Sequence, residues 1–183
     1  ANTQTLNGIT RVAVSSSTYN TAGYEVFNLF DNQTFTEFRS MFNTQPNPGY
    51  VGTAAGSNTG NYAGTASKII DGVPVLGEWV SFDFGRAYNV SSYSLEPNRW
   101  TYDGWGHPNK WTLAYSADGN IWKKADEKYY NATGSTVATA WKTPISYTLS
   151  APVQATHMCI VVQRVFVPGS GNMFAGWGGL RFA

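Results

Sequence analysis

The densest concentration of side chains able to hold a ligand lies between residues 99 and 109, in a stretch rich in Gly, Asp and Asn. Exposed aromatic side chains in such a loop commonly mark a binding site. Sugars suit them, because a ring C–H face stacks on an indole while Arg, His and Asn hydrogen-bond to hydroxyl groups. The candidate carbohydrate-binding residues are Arg99, Trp105 and His107 at the centre, with Trp100, Tyr102 and Asn109 in support.

Several of these residues also have a purely structural interpretation. Trp100 or Tyr102 fits a role in closing one end of the domain, and Asp103 fits a role in capping the turn. His107 precedes a proline, so it also fits a turn histidine that bonds to the backbone.

A second candidate segment runs from residue 164 to residue 177 and is rich in Gly, Ser and Asn. Arg164 and Trp177, at its two ends, are further candidate contacts with a sugar. The alternative for Trp177 is a core position beside glycines that allow close packing. Phe35, Phe38 and Arg39 form a third loop candidate, in which we expect Phe38 to be buried.

Catalysis is not expected from this chain. A glycosidase needs two carboxyl groups across the scissile bond, and Glu96 with Asp103 is the one acidic pair near the aromatic segment. A polysaccharide lyase of jelly-roll type is the lesser alternative, with Tyr102 and His107 moving the proton. With two histidines and one cysteine, a zinc site or a cysteine nucleophile is not expected.

The elements that must position these loops are strands. Residues 9–14, 79–84, 90–95, 157–167 and 179–182 are rich in β-branched and aromatic residues or alternate in polarity. Residues 111–115 and a strand starting at residue 121 flank a tight turn at 117–120. Residues 43–67 are either a long surface loop or an irregular strand pair. The strongest short helical pattern is 24–30, and the indoles of Trp79, Trp111 and Trp122 are expected in the core.

Composition and charge narrow the class of protein further. The chain has 183 residues, of which 15% are aromatic and 13% charged, so we expect one ordered domain spanning 1–183. The net charge of +1 and the absence of a basic run argue against nucleic-acid binding. No apolar stretch is long enough to predict a transmembrane span.

Three sequence motifs carry a family resemblance. Residues 77–85, GEWVSFDFG, resemble the "G-x-W-aliphatic-x-aliphatic-D-aliphatic-G" strand of discoidin-type, or galactose-binding-like, domains. Residues 95–99 resemble the family's strand that ends in Pro and Arg. Residues 106–122, GHPNKWTLAYSADGNIW, resemble "G-x-P-x-x-aromatic-x-aliphatic-x-x-S-x-D-G-x-x-W". Weaker matches are residues 29–38 and the closing strand at 178–182.

This resemblance implies a fold and a mode of binding, and it raises the question of a calcium site. The family includes family 32 carbohydrate-binding modules, phospholipid-binding coagulation-factor domains, lectins and viral attachment modules. Membership implies an all-β jelly roll of about eight antiparallel strands with ligand loops at one end. The family's last strand often begins with a Glu that binds a structural calcium, and this chain has Gly179 at that place. Asp31 remains as a candidate calcium ligand. Because calcium prefers several carboxylate oxygens, we expect no calcium requirement.

The sequence therefore predicts a non-catalytic glycan-binding module. We expect it to be extracellular or surface-exposed and to belong to a larger enzyme, adhesin or attachment protein. The main alternative is a virion or cell-surface structural domain that makes mostly protein contacts.

Overall fold

The computed structural model describes residues 2–6, 8–17, 25–31, 37–40, 49–52, 59–97, 106–129, 143–166 and 172–183. The strands are β1 Asn2–Leu6, β2 Ile9–Ser15, β3 Phe38–Arg39, β4 Tyr50–Gly52, β5 Thr59–Tyr62, β6 Ser67–Ile70, β7 Val73–Leu76, β8 Glu78–Glu96, β9 Pro108–Ser116, β10 Lys123–Tyr129, β11 Ile145–Phe166, β12 Asn172–Met173, β13 Gly176–Trp177 and β14 Gly179–Phe182. All their pairings are antiparallel, and one short 3₁₀ helix, Val26–Leu29, completes the described part. None of the helical structure described in this chain has the length and apolar character that crossing a membrane requires.

Strands β8 and β11 are long because each passes through both layers of the fold. The first half of β8 pairs with β2 and with the second half of β11, whereas its second half pairs with β14 and with the first half of β11. Gly85 lies between the halves of β8 with φ +73°, and a Cβ there would lie 2.3 Å from the carbonyl oxygen of Thr10. Only glycine accepts both conditions. The layers form the predicted all-β sandwich.

The core lies between these layers and follows the alternation predicted from the sequence. Val80, Phe82 and Phe84 of β8 are buried on one face, as the pattern of residues 79–84 requires. Trp111 is completely buried in β9, where its indole N–H donates to the hydroxyl oxygen of Tyr93 at 3.0 Å. The expectation that Trp111 is a core residue is confirmed.

A second, smaller cluster covers the outer face of the sheet beneath the β6–β7 hairpin. It contains Trp122, Cys159 and Val161, with Trp79 partly buried against them. The ammonium of Lys68 lies 4.5 Å from the ring centroids of both Trp79 and Trp122. Trp122 and Trp79 are therefore structural, although Trp79 contributes to this outer cluster and not to the main core.

The remaining strand predictions hold with shifted boundaries. Among the described residues of the segment 43–67, β4 and β5 form an antiparallel pair, which agrees with the alternative of an irregular strand pair. The turn at 117–120 forms, but the returning strand starts at Lys123, because Asp118 Oδ1 accepts the backbone N–H groups of Asn120 and Ile121. There are fourteen strands in the described residues instead of about eight, since the fold adds hairpins and two-residue pairs.

Candidate functional site

The stems of the two predicted binding segments meet at one end of the sandwich. The N–H of Gly106, at the end of the first segment, donates to Phe166 O at 2.9 Å, and the N–H of Phe166 donates to His107 O at 3.0 Å. The N–H of Gly176, at the end of the second segment, donates to Gly106 O at 2.9 Å. The two segments are about 60 residues apart in sequence, and these backbone bonds bring their bases together.

A glycine is required where these stems touch. Gly106 has φ +80°, and a Cβ on it would lie 2.8 Å from the carbonyl oxygen of Phe174 and 3.2 Å from the backbone nitrogen of Gly176. A side chain at this position would push the two stems apart. Gly106 therefore sets the point from which the chain enters β9.

The third predicted segment lies against the second. Strand β3 pairs with β13, so that Phe38 faces Trp177, and their rings meet edge to face at 5.4 Å. The N–H of Ser40 donates to Ala175 O at 2.8 Å, and the Ser40 hydroxyl oxygen accepts the N–H of Ala175 at 2.9 Å. The described parts of all three candidate segments thus lie together.

The predicted binding residues divide into those within and those outside the described residues. Arg99, Trp100, Tyr102 and Trp105 lie outside them, as does Asp103. His107 and Asn109 are 0% exposed and Trp177 is 1% exposed. These three buried side chains directly follow the joined stems at Gly106 and Gly176 and are together called the floor, and Phe38 is buried as expected.

His107 is a neutral, buried imidazole. Burial lowers its pKa from 6.5 to about 3, and neither ring nitrogen has a hydrogen-bond partner among the described residues. A general acid or base works best with a pKa near the operating pH. The environment of His107 therefore disfavours the proton-transfer role that the lyase alternative requires.

An ion pair that was not predicted from the sequence lies beside this floor. The carboxylate of Glu37, 2% exposed, pairs with the guanidinium of Arg39, which lies 4.8 Å over the ring of Phe174. Burial raises the pKa of Glu37, and the charge of Arg39 opposes that rise. The available signal was the pair of opposite charges two residues apart in an extended segment, which places both side chains on one face.

Arg164 lies on the outer face of the sheet and not on the floor. Its guanidinium donates to the hydroxyl oxygen of Tyr129 at 2.7 Å and lies 5.6 Å from the centroid of that ring. Arg164 was predicted to lie with the loop residues, and its separation from Phe166 by one residue keeps it near their stems.

The described residues do not fit the calcium site that the family resemblance implies. Asp31 lines a cleft of about 290 Å³ with Gly179, which supplies no carboxylate. A Cβ on Gly179 would lie 3.3 Å from Oε2 of Glu96, and that oxygen accepts a hydrogen bond from Arg181 at 3.2 Å. No group of three His, Cys, Asp or Glu residues suited to a metal occurs in the described part. The ion pair between Arg181 and Glu96 also means that the Glu96 carboxylate is not free to act as a catalytic acid.

Comparison with solved structures identifies the fold. A family 32 module of Clostridium perfringens, CpGH89CBM32-5, solved with GalNAc-β-1,3-galactose, matches with a TM-score of 0.60 at 17% identity over 94% of each chain. The chain has the fold of the family 32 carbohydrate-binding modules.

Two further structures extend this likeness. The family 32 module of C. perfringens NanJ, solved with galactose, matches with a TM-score of 0.58 at 16% identity, over 94% of this chain and 92% of the other. The module of AlyQ, solved with 4,5-unsaturated mannuronic acid, matches with a TM-score of 0.53 at 14% identity, over 94% and 93%. No family model matches the chain, and no curated protein does.

Proposed function

We propose that this chain is a non-catalytic glycan-binding module whose ligand is held by the loops at the end of the sandwich where residues 106, 166 and 176 meet. The observation that carries the proposal is the shared stem of the two Trp- and Arg-containing segments. A stem joined by backbone hydrogen bonds presents both segments from one rigid base, which lowers the entropic cost of binding.

The similar structures support the chemical class of the ligand. They were solved with GalNAc-β-1,3-galactose, with galactose and with 4,5-unsaturated mannuronic acid. These sugars differ in epimer and charge, so the fold accommodates several ligands through its loops. The proposal for this chain is therefore a carbohydrate, with the particular sugar left to the loop residues.

Within this proposal, the candidate residues have two roles. Arg99, Trp100, Tyr102 and Trp105 contact the sugar, as the sequence predicts. Because His107, Asn109 and Trp177 are buried, we expect them to support these contacts from below. The module would work outside the cell or on a surface, as part of a larger enzyme, adhesin or attachment protein.

The direct experiment is a glycan array probed with the labelled wild-type chain, followed by calorimetry on the strongest hit. The proposal expects selective retention of a small set of glycans with micromolar to millimolar dissociation constants, because sugar hydroxyl groups exchange hydrogen bonds with water for hydrogen bonds with the protein at little net gain. Absence of binding to any glycan, at protein concentrations that detect a millimolar complex, would refute it.

One observation favours the alternative of a domain that makes protein contacts. Ile69 and Leu76 of the β6–β7 hairpin are exposed on the same face of a two-stranded ribbon. Exposed apolar side chains grouped in this way often mark contact surfaces. Sedimentation of the wild-type chain and of Ile69→Ser/Leu76→Ser, with the array repeated on both, separates self-association through the hairpin from glycan binding.

A further inference from the structure

Strand β1 lies at the end of the ten-stranded sheet and presents an edge that nothing in its sequence protects. It pairs with β2 on one side, and no other strand of the described residues pairs with it. The N–H and C=O groups of an edge strand can bond to another chain, so proteins commonly guard such edges with charges, prolines, bulges or short length. The sequence of β1, Asn-Thr-Gln-Thr-Leu, has no charge and no proline, and its register with β2 runs without a shift.

Other edges among the described strands carry the protective features that β1 lacks. Most residues of β10 are charged, and its register shifts between Lys124 and Asp126. Strand β7 contains Pro74, which has no N–H to offer a further strand. Strand β12, at the other end of the ten-stranded sheet, has only two residues. This contrast makes β1 the edge best suited to pair with another chain.

The hairpin that joins β1 to β2 determines which backbone groups of β1 face outward. Two residues separate Leu6 from its partner Ile9, and the second of them, Gly8, has φ +75°. The residues that flank a two-residue loop hydrogen-bond to each other, and bonded and non-bonded pairs then alternate along the ladder. The N–H and C=O groups of Thr3 and Thr5 therefore point away from β2, toward the open edge.

This edge is complementary to itself in the antiparallel direction. A two-fold axis at Gln4 places Thr3 of one copy opposite Thr5 of the other, on both sides of the axis. Each of these pairs can exchange both of its N–H···O=C bonds, because both residues present their backbone groups outward. The two copies of Gln4 form the non-bonded pair at the axis, with their Cα atoms about 4.5 Å apart.

Charge favours this self-pairing at β1 over the same pairing at β6. The two-residue loop Asp71-Gly72 joins β6 to β7, so the same alternation turns the backbone groups of Ser67 and Ile69 outward. A two-fold pairing through those residues would place Lys68 opposite its own copy. Like charges directly opposite each other destabilise a sheet. Strand β1 pairs with itself without that repulsion.

We propose that two copies of this chain associate through their β1 edges, antiparallel and about a two-fold axis at Gln4, so that the sheet of one copy continues into the sheet of the other. A contact that uses the same patch on both copies closes as a dimer. The interface is one strand wide, so the dissociation constant should lie between roughly 10 µM and 1 mM. This dimer does not depend on glycan binding.

The first test changes one backbone donor and measures the oligomeric state of the whole chain. Sedimentation equilibrium of the wild type, from about 10 µM to about 1 mM, should show a monomer–dimer equilibrium. Thr5→Pro removes an N–H that β2 does not use, and proline is tolerated at such an edge position. It should weaken dimerisation at least about tenfold, because the bond is lost on both sides of the axis. The matched control Thr5→Ala keeps the N–H and should dimerise like the wild type.

A charge swap at the axis tests the register and leaves every backbone group in place. Gln4→Glu alone and Gln4→Lys alone each bring like charges together at the axis, and each should dimerise roughly threefold or more weakly than the wild type at low salt. An equal mixture of the two variants pairs opposite charges and should regain dimerisation. Recovery in the mixture also shows that neither substitution has detached β1, so this test remains decisive if Thr5→Pro fails to fold.

Three results would overturn the proposal. One is a wild-type chain that stays monomeric up to about 1 mM. Another is charge variants that dimerise alike, alone and mixed. The third is a dimer that persists in folded Thr5→Pro and is lost in Ile69→Ser/Leu76→Ser, since the β6–β7 hairpin would then be the interface.

Discussion

The buried state of His107 gives a sharp prediction for the pH dependence of stability. The pKa of His107 is about 3 in the folded chain, whereas an unfolded chain has the ordinary value near 6.5. Between these two values the unfolded state binds the proton and the folded state does not. The free energy of unfolding contributed by this residue is therefore fully present above pH 6.5 and is lost as the pH falls.

The size of the effect follows from this shift. One fully differential proton changes the free energy of unfolding by about 1.4 kcal/mol per pH unit. Across the window from pH 6.5 to about 3, the loss amounts to roughly 4 kcal/mol, close to the whole stability of many domains. The raised pKa of Glu37 gives the unfolding free energy the opposite pH dependence, because the folded state favours the protonated carboxyl group. Glu37 is present in every variant compared, so its contribution cancels in their difference.

Chemical denaturation at several pH values between 4 and 7.5 measures this contribution. The chain has two histidines, so a His157→Gln background leaves His107 as the only imidazole, and His107→Gln is then added to it. We expect the difference in unfolding free energy between the two proteins to change with pH by about 1.4 kcal/mol per unit below pH 6. Baseline destabilisation by the substitution moves the curve without changing that slope.

A flat difference between pH 6.5 and 4 would refute this reasoning. It would mean that the imidazole titrates alike in the folded and unfolded chains and is therefore in contact with water. His107 would then be able to touch a ligand directly, and its place on the floor would be wrong.

Three further predictions test the fold and the metal. Trp111→Ala should lower the free energy of unfolding by about 3–5 kcal/mol, because it empties a completely buried site and leaves the Tyr93 hydroxyl without its donor; a loss near zero by denaturant titration would contradict the core assignment. Gly85→Ala should destabilise by about 2 kcal/mol or more, since it adds a clash with Thr10 O to the backbone strain, whereas Gly8→Ala, at φ +75° with open space around its Cα, should cost the strain alone; equal losses would show that the close approach at Gly85 is absent. EDTA should leave the melting temperature unchanged, because a chelator lowers stability only by removing a metal that binds the folded chain, and Gly179 supplies no carboxylate for calcium; a large drop would show that a calcium site forms despite Gly179.

Local patterns explain which parts of the fold could be predicted from the sequence. The alternation of Val80, Phe82 and Phe84 depends only on the two-residue repeat of a strand, and it holds in the structure. The β6–β7 hairpin was available from the same kind of signal, since Asp71-Gly72 separates two β-branched runs and Asp71 takes φ +51°.

Non-local effects explain what the sequence could not indicate about the site. The burial of His107 depends on the chain near residues 166 and 176, which forms hydrogen bonds with its stem but lies far away in sequence. The face on which Arg164 lies depends on a bulge in β11, and a bulge reverses the alternation without leaving a pattern in the residues. The prediction of loops converging at one end came from the family resemblance, because no local rule brings separate segments together.

The most direct measurement of the central claim is calorimetry of Trp105→Ala with the strongest glycan from the array. Losing a stacked indole should weaken binding by about 1–3 kcal/mol, or roughly tenfold to a hundredfold, and leave the melting temperature nearly unchanged. Tyr88→Ala, which removes an aromatic side chain beside Arg86 and away from the loop stems, is the matched control and should bind like the wild type. Unchanged affinity in Trp105→Ala, or unfolding of that variant while milder substitutions keep full binding, would contradict a glycan site at these loops.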